Sequence, residues 1–339
     1  MTTTIETRVD GRVGRILVNR PGALNALDLS MLRAIDAALE AWREEPHVHA
    51  VVVEGAGGRA FCAGGDIRAV RTEATDGDAD AVTTCFATEY ALNLKIARYP
   101  KPYVALIDGI CMGGGLGISV HGAARVATEH ALCAMPEAGI GIFPDIGATF
   151  FLPRLPGSLG MFLGLTSHRV AGADAVHAGL ATHYVPRADM PALSAALASD
   201  GVAVLGSRAV PPPKPSFSAA DRAVIDECFS ADSVAAIIHR LQAAGGKLAE
   251  TALDAMAHNS PSSLVLTFEA LRAGADMTLE ACLAAELRLM LAVTRRPDFA
   301  EGVRAILVDK DRSPRWSPAT LDAVDVAAIR ALVAACREG

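Results

Sequence analysis

The chain has 339 residues, 51% of them hydrophobic and 20% charged, enough to bury a large core in two domains or one large one. A formal charge of −7 and a pI near 5.7 argue against a nucleic-acid partner, which wants a basic face. They leave room for an anionic small molecule, because a few local cations and helix N-termini hold phosphates.

The opening stretch MTTTIETRVDGRVGRI has no apolar h-region and no Arg/Ser-rich amphipathic pattern, so the expectation is a mature, cytoplasmic protein. No segment approaches the roughly 20 apolar residues of a membrane span, and no membrane partner is expected. The seven cysteines, at positions 62, 85, 111, 133, 228, 282 and 336, are scattered without a C-x-x-C pair. They read as reduced thiols, and nothing suggests a structural metal.

Along the first half, strand and helix signals alternate. Arg12–Asn19 and His49–Glu54 are short β-rich runs. Between them Asp28–Trp42 has helical spacing at Leu29, Leu32, Ile35 and Leu39, with Asp28 as its cap. Ala79–Arg98 reads as a helix, Tyr103–Ile107 as a buried strand and Gly115–His121 as a short helix. Arg125–Thr128 and Ala131–Ala134 read as a further strand pair. After Pro186 the strand signal fades. Pro211–Pro215 (PPPKP) is the best linker candidate, and helices follow over Asp232–Ala244, Leu264–Arg272 and Leu279–Val293. The expected organisation is an α/β domain over residues 1–210 and a helical region over 211–339 packing on it.

Three stretches could carry chemistry. In AFCAGGDIR (Ala60–Arg68), Gly64 and Gly65 after a strand either let backbone N–H groups face a ligand or simply turn the chain. In DGICMGGGLG (Asp108–Gly117), three consecutive glycines open a short helix. They serve an anion or developing oxyanion, or they permit close backbone packing. The third stretch, AMPEAGIGIFPDIG (Ala134–Gly147), carries Glu137 and Asp145 among Gly, Pro, Ile and Phe. A carboxylate is costly to bury unless paired, hydrogen-bonded or protonated. Two of them beside two Gly-rich donor loops suggest chemistry on a carbonyl that develops negative charge; helix capping or remote Arg pairing is the bland alternative. Other motifs fail. Gly117–Gly122 has one residue too many for a nucleophile elbow, and no dinucleotide, P-loop or zincin pattern occurs. His121, His177 and His183 read as structural hydrogen-bonders.

These residues resemble the crotonase (enoyl-CoA hydratase/isomerase) superfamily, and within it the 3-hydroxyisobutyryl-CoA hydrolases. The superfamily features are NRPGALNAL (Asn19–Leu27), AFCAGGDIR, KPYVALIDGICMGGGLG and MPEAGIGIFPDIGATFFLPRLPG. The hydrolase-level features are Glu89-Tyr90-Ala-Leu-Asn93, the Glu137/Asp145 pair and the tail DFAEGVRAILVDKDRSPRWSP (Asp298–Pro318). The resemblance implies an α/β fold, a crotonase-like spiral of ββα turns with a helical C-terminal region. It also implies an acyl-CoA thioester substrate, with no cofactor beyond the CoA the substrate carries.

The thioester carbonyl would sit between the backbone N–H groups of Gly65 and Gly114, and the backbone of Ala63, Asp66 and Ile67 would line the CoA site. Glu137 would match the glutamate that attacks the thioester or activates water, Asp145 its acidic partner, and Glu89 a substrate-contacting residue. Enoyl-CoA hydratases place the first of two glutamates shortly after the triple Gly. This chain has Gly117 there, which favours hydrolysis of a β-hydroxyacyl-CoA such as 3-hydroxyisobutyryl-CoA, as in valine catabolism. A hydratase or isomerase, and an acyl-CoA-binding protein without catalysis, are the alternatives. A homo-oligomer is among the partners expected.

Overall fold

A computed structural model describes residues 4–338. The chain divides into two compact units, both discontinuous in sequence. The first takes the chain to Asp66, then Thr88–Cys133 and Val170–Ser216; the second takes Ile67–Ala87, Ala134–Arg169 and the chain from Phe217 onward. The linear division expected at residue 210 lies near one of these crossing points. It overlooks residues 67–87 and 134–169, which group with the C-terminal helices because their partners lie there and not among their sequence neighbours.

The first unit is built on a six-stranded sheet in the order β1 (Ile5–Asp10), β2 (Val13–Val18), β3 (Ala50–Gly55), β5 (Tyr103–Ile107), β7 (Ala124–Ala127) and β10 (His183–Tyr184). β1 and β2 form an antiparallel hairpin and every later pairing is parallel, with Val13 opposite Ala50, Val51 opposite Tyr103 and Val104 opposite Ala124. All five residues of β5 are buried, as a central parallel strand covered on both faces requires.

A second sheet runs β4 (Ala60–Cys62), β6 (Ile110–Met112), β8 (Leu132–Ala134) and β9 (Val170–Ala171). Successive turns of chain thus give one strand to each sheet, β3 and β4, β5 and β6, β7 and β8, which is the expected ββα spiral. Arg125–Thr128 and Ala131–Ala134 are therefore not a pair: β7 and β8 lie in different sheets.

Helix α1 (Leu29–Arg43) crosses from β2 to β3, and the Asp28 carboxylate caps it by accepting from Met31 N. Helices α2 (Ile67–Thr75) and α3 (Ala79–Ala97) follow β4, and α3 runs through the division at Ala87/Thr88. The helix expected over Gly115–His121 is only α4 (Gly114–Gly117), followed by tight turns. Three further first-unit helices are α7 (Asp174–His177), α8 (Met190–Asp200) and α9 (Leu205–Arg208). Leu193 and Leu197 of α8 pack on Val13, Val52, Val104 and Val126 to close the core. The expected linker at Pro211–Pro215 is held in place, since Pro213 O bonds His177 Nε2 at 2.7 Å and Ser216 N donates to Asp174.

The second unit is helical. After α5 (Ala148–Phe151) and α6 (Leu159–Thr166) come α10 (Ala219–Phe229), α11 (Val234–Ala244), α12 (Gly246–His258), α13 (Pro261–Gly274), α14 (Leu279–Val293), α15 (Pro297–Val303) and α16 (Val326–Glu338). Four starts are written in the sequence: Ser218, Ser233, Ser260 and Thr278 each accept from the backbone N–H three residues on. Among the described residues no helix is long and apolar enough to cross a membrane, and all seven cysteines are free.

Candidate active site

In the first unit the two Gly-rich loops come together. Gly64 has φ +113, a conformation that favours glycine, and carries the chain from β4 into Gly65. A side chain on Gly114 would lie 3.1 Å from Gly65 N and would strike Glu89 Oε1. Among the described residues neither the Gly65 nor the Gly114 amide donates to a protein acceptor. The two amides, close together and without such an acceptor, are open to a ligand.

The three glycines have three reasons. Gly113 takes φ +47, Gly114 leaves room beside Gly65 and Glu89, and a Cβ on Gly115 would strike the carbonyl of Cys62. Close packing thus accounts for Gly115, while Gly114 stands open beside Gly65 and Glu89.

Glu89 lies in α3, where a solvated carboxylate is the ordinary expectation, yet it is 5% exposed. Its carboxylate faces Gly114 and lies 3.8 Å from where a Gly65 Cβ would be. Burial pushes the Cys62 thiol up to about 12, and the nearby Glu89 charge adds to that. One turn further along α3, Asn93 is fully buried with no hydrogen-bond partner for its amide among the described residues. Ala63 N donates to Leu24 O, Asp66 N donates to Leu27 O, and the Asp66 carboxylate takes 2.8 Å bonding from Arg20. These bonds fix the loop that opens into Ile67, the first residue of α2 and of the second unit.

The second unit carries Glu137 and Asp145, 5% and 6% exposed. Glu137 begins a 3₁₀ turn ending at Ile140, and two separate pieces of chain, α15 and the start of α13, clasp it. Gly141 (φ +81) lies against the Asp298 backbone, Gly302 lies against Ile140, and Ser260 N donates to Ala138 O at 3.1 Å. Asp298 is itself buried and accepts from Ser260 Oγ and Ser317 N. The tail Asp298–Pro318 therefore acts in the fold as the support of the Glu137 turn. Within it Arg304 binds Glu301, Asp309 and Asp311 at once, and Glu301 also accepts from Arg315 N.

The residue that sequence reasoning missed is Glu286 of α14, whose carboxylate meets the Asp145–Thr149 turn. Only its place on a buried helix face could have signalled it. A pocket of about 320 Å³ beneath the tail is lined by Asp298 and Arg296 but by neither Glu137 nor Asp145.

The enoyl-CoA hydratase/isomerase family model matches residues 13–333. A mitochondrial 3-hydroxyisobutyryl-CoA hydrolase of Xenopus tropicalis is 47% identical over 325 residues, covering 93% of this chain and 84% of that protein. Two solved structures superpose closely. One is a carnitinyl-CoA dehydratase from Mycobacterium thermoresistibile, with TM-score 0.93 and 41% identity over 98% of this chain and 96% of that one. The other is an enoyl-CoA hydratase from Rhodobacter sphaeroides 2.4.1, with TM-score 0.90 and 38% identity over 98% and 97%.

Proposed function

This chain belongs to the enoyl-CoA hydratase/isomerase family, and from that premise we propose that it hydrolyses a β-hydroxyacyl-CoA thioester, foremost 3-hydroxyisobutyryl-CoA, to the hydroxy acid and CoA. The observation that carries the reading is the Gly65/Gly114 amide pair beside the buried Glu89. The thioester oxygen would accept from both amides. Donors already in place stabilise the negative charge that grows there as the carbonyl carbon becomes tetrahedral.

Glu137 supplies the second requirement, a carboxylate that attacks the carbonyl carbon or takes a proton from the attacking water. Collapse of the tetrahedral centre then breaks the C–S bond and releases the CoA thiolate; on the attack route water next cleaves the acyl–Glu137 anhydride, freeing the hydroxy acid and the Glu137 carboxylate. Asp145 assists the water or the departing thiolate, Glu89 holds the substrate hydroxyl, and the backbone of Ala63, Asp66 and Ile67 lines the CoA. No group besides these residues and the substrate's own CoA is used. Cytoplasmic location, a place in valine catabolism and assembly into a homo-oligomer belong to the same proposal. Free thiols suit a reducing compartment; the curated relative is named mitochondrial.

The hydratase and dehydratase names of the two solved relatives favour a second reading, water addition to an enoyl-CoA. That reaction suits two carboxylates against one planar enoyl group. Gly117, buried in α4, offers no side chain where hydratases of the family carry the first. Thiol release from 3-hydroxyisobutyryl-CoA, measured beside loss of the enoyl absorbance of crotonyl-CoA, separates the readings. Hydrolysis predicts rapid free thiol and slow hydration. Rapid hydration with no thiol would overturn it, and neither activity would leave an acyl-CoA-binding protein.

A further inference from the structure

Glu286 is 1% exposed in the middle of α14. Its whole carboxylate is given to one turn of chain. Oε2 accepts from Gly147 N at 2.7 Å; Oε1 accepts from Thr149 N at 2.9 Å and bonds Thr149 Oγ1 at 2.6 Å. Those groups lie two and four residues after Asp145, and Ala148 N closes the turn on Asp145 O at 2.8 Å.

The turn so held is strained. Ile146, next to Asp145, has φ +56, and Gly147 has φ +83. Gly147 takes a left-handed conformation freely, but a β-branched side chain there is a steric outlier. Such a conformation persists only where its surroundings over-determine it, and these outliers gather at working sites. A relaxed turn over an apolar α14 would avoid both the strain and a buried carboxylate. The two costs occur together, and what they share is the placement of Asp145.

The charged neighbours fit that role. Burial pushes the Glu286 carboxyl up to about 8 against its bonds to Thr149 and Gly147, and the Asp145 charge pushes it the same way. Cys282, one turn earlier on α14, also feels Glu286 and is raised chiefly by burial. When Glu286 holds a proton, the short bond to Thr149 can carry it with the hydroxyl accepting. Both amide bonds then persist.

We propose that Glu286 is the positioning residue of Asp145, locking the strained Asp145–Thr149 turn so that the Asp145 carboxylate is presented to the reaction. The inference rests on the reading of Asp145 as a participant in thioester hydrolysis.

The test is steady-state hydrolysis of 3-hydroxyisobutyryl-CoA by Glu286→Gln, Glu286→Ala, Asp145→Asn and the Asp145→Asn/Glu286→Gln double variant. Glu286→Gln turns an amide donor toward a backbone N–H, so kcat should fall tenfold or more while KM changes less than threefold. Adding Ile146→Gly, which takes positive φ without penalty, should restore at least fivefold of the lost kcat. The double variant should be no slower than Asp145→Asn alone, because the two residues act as one unit. If Glu286→Ala fails to fold, the Gln and Gly variants decide. Parental kcat in Glu286→Gln, loss without rescue, or full additivity with Asp145→Asn would each overturn the proposal. Parental kcat in Asp145→Asn would overturn the reading of Asp145 and this proposal with it. An impaired Asp145→Asn beside a normal Glu286→Gln would overturn this proposal alone.

Discussion

Gly302 on α15 rests its Cα against the backbone of Ile140, the last residue of the turn that Glu137 begins. A Cβ at 302 would lie 2.5 Å from the Ile140 carbonyl carbon and 2.6 Å from its oxygen, and backbone cannot yield by changing rotamer. Gly302→Ala should therefore displace the turn, costing about 1–3 kcal/mol as overpacking does, and lower kcat as well. Gly206→Ala is the control: nothing lies within 4 Å of its Cβ position. That change should be neutral or stabilise by about 0.4–1 kcal/mol. Thermal unfolding and thiol release measured on both variants check the contrast.

Gly114→Ala tests the oxyanion pair. Its methyl group would enter the space between Glu89 Oε1 and Gly65 N. Loss of one oxyanion donor costs roughly 10²–10³ in rate, so kcat should fall in that range while the melting temperature moves by a few degrees. Near-parental turnover in folded Gly114→Ala would remove the pair from the mechanism.

Glu137→Gln should keep affinity for the CoA ester while turnover falls by roughly 10²–10⁴, the range general-base help covers. Asp145→Asn should show a smaller defect and a shifted pH profile, because the charge that acts on Glu286 is gone. Single turnover in ¹⁸O water separates the two roles of Glu137. Label entering its carboxylate reports direct attack, because activated water alone never labels Glu137.

The tail makes a prediction about acid. The bond to Arg304 holds the Glu301 carboxyl down at about 2, helped by Arg315 N, against an ordinary 4.5. A depressed folded pKa means the unfolded chain binds the proton first as pH falls. This contribution to stability is thus complete above about 4.5 and is lost as pH drops toward 2. Denaturant unfolding from pH 6 to 3 should show the parent losing stability more steeply than Glu301→Gln. Parallel slopes would show that the ion-pair cluster is spent on solvent.

How much of this was legible depends on how far each feature reaches along the chain. The Asp28 cap, the buried YVALI strand and the C-terminal helices were readable because their causes lie within a few residues. Glu137 and Asp145 were readable as candidates because charge is conspicuous in an apolar, Gly-rich run. The pairing of β8 was not: three residues of strand carry no record of which sheet they join. Glu286 was invisible for a related reason. In LAAELRLML a glutamate between leucines looks like a solvated helix residue, and its partners stand some 140 positions earlier. Gly302 and Gly141 likewise take their meaning from backbone that only the folded chain brings near.

The interleaving of the two units sets an order of assembly during synthesis. Every segment of the first unit has been made once Ser216 is added, so its sheets and its Gly65/Gly114 pair can form early. The stretch with Glu137 and Asp145 has also been made by then, but its supports have not: Ser260, Glu286, Asp298 and Gly302 all come later. At ordinary elongation rates the roughly 90 residues between Ser216 and Gly302 represent on the order of 10 s. Throughout that interval the nascent chain can hold the Gly65/Gly114 pair while the Glu137 turn still lacks its supports. Competence for turnover would then arrive late and abruptly, with the closing residues of α15.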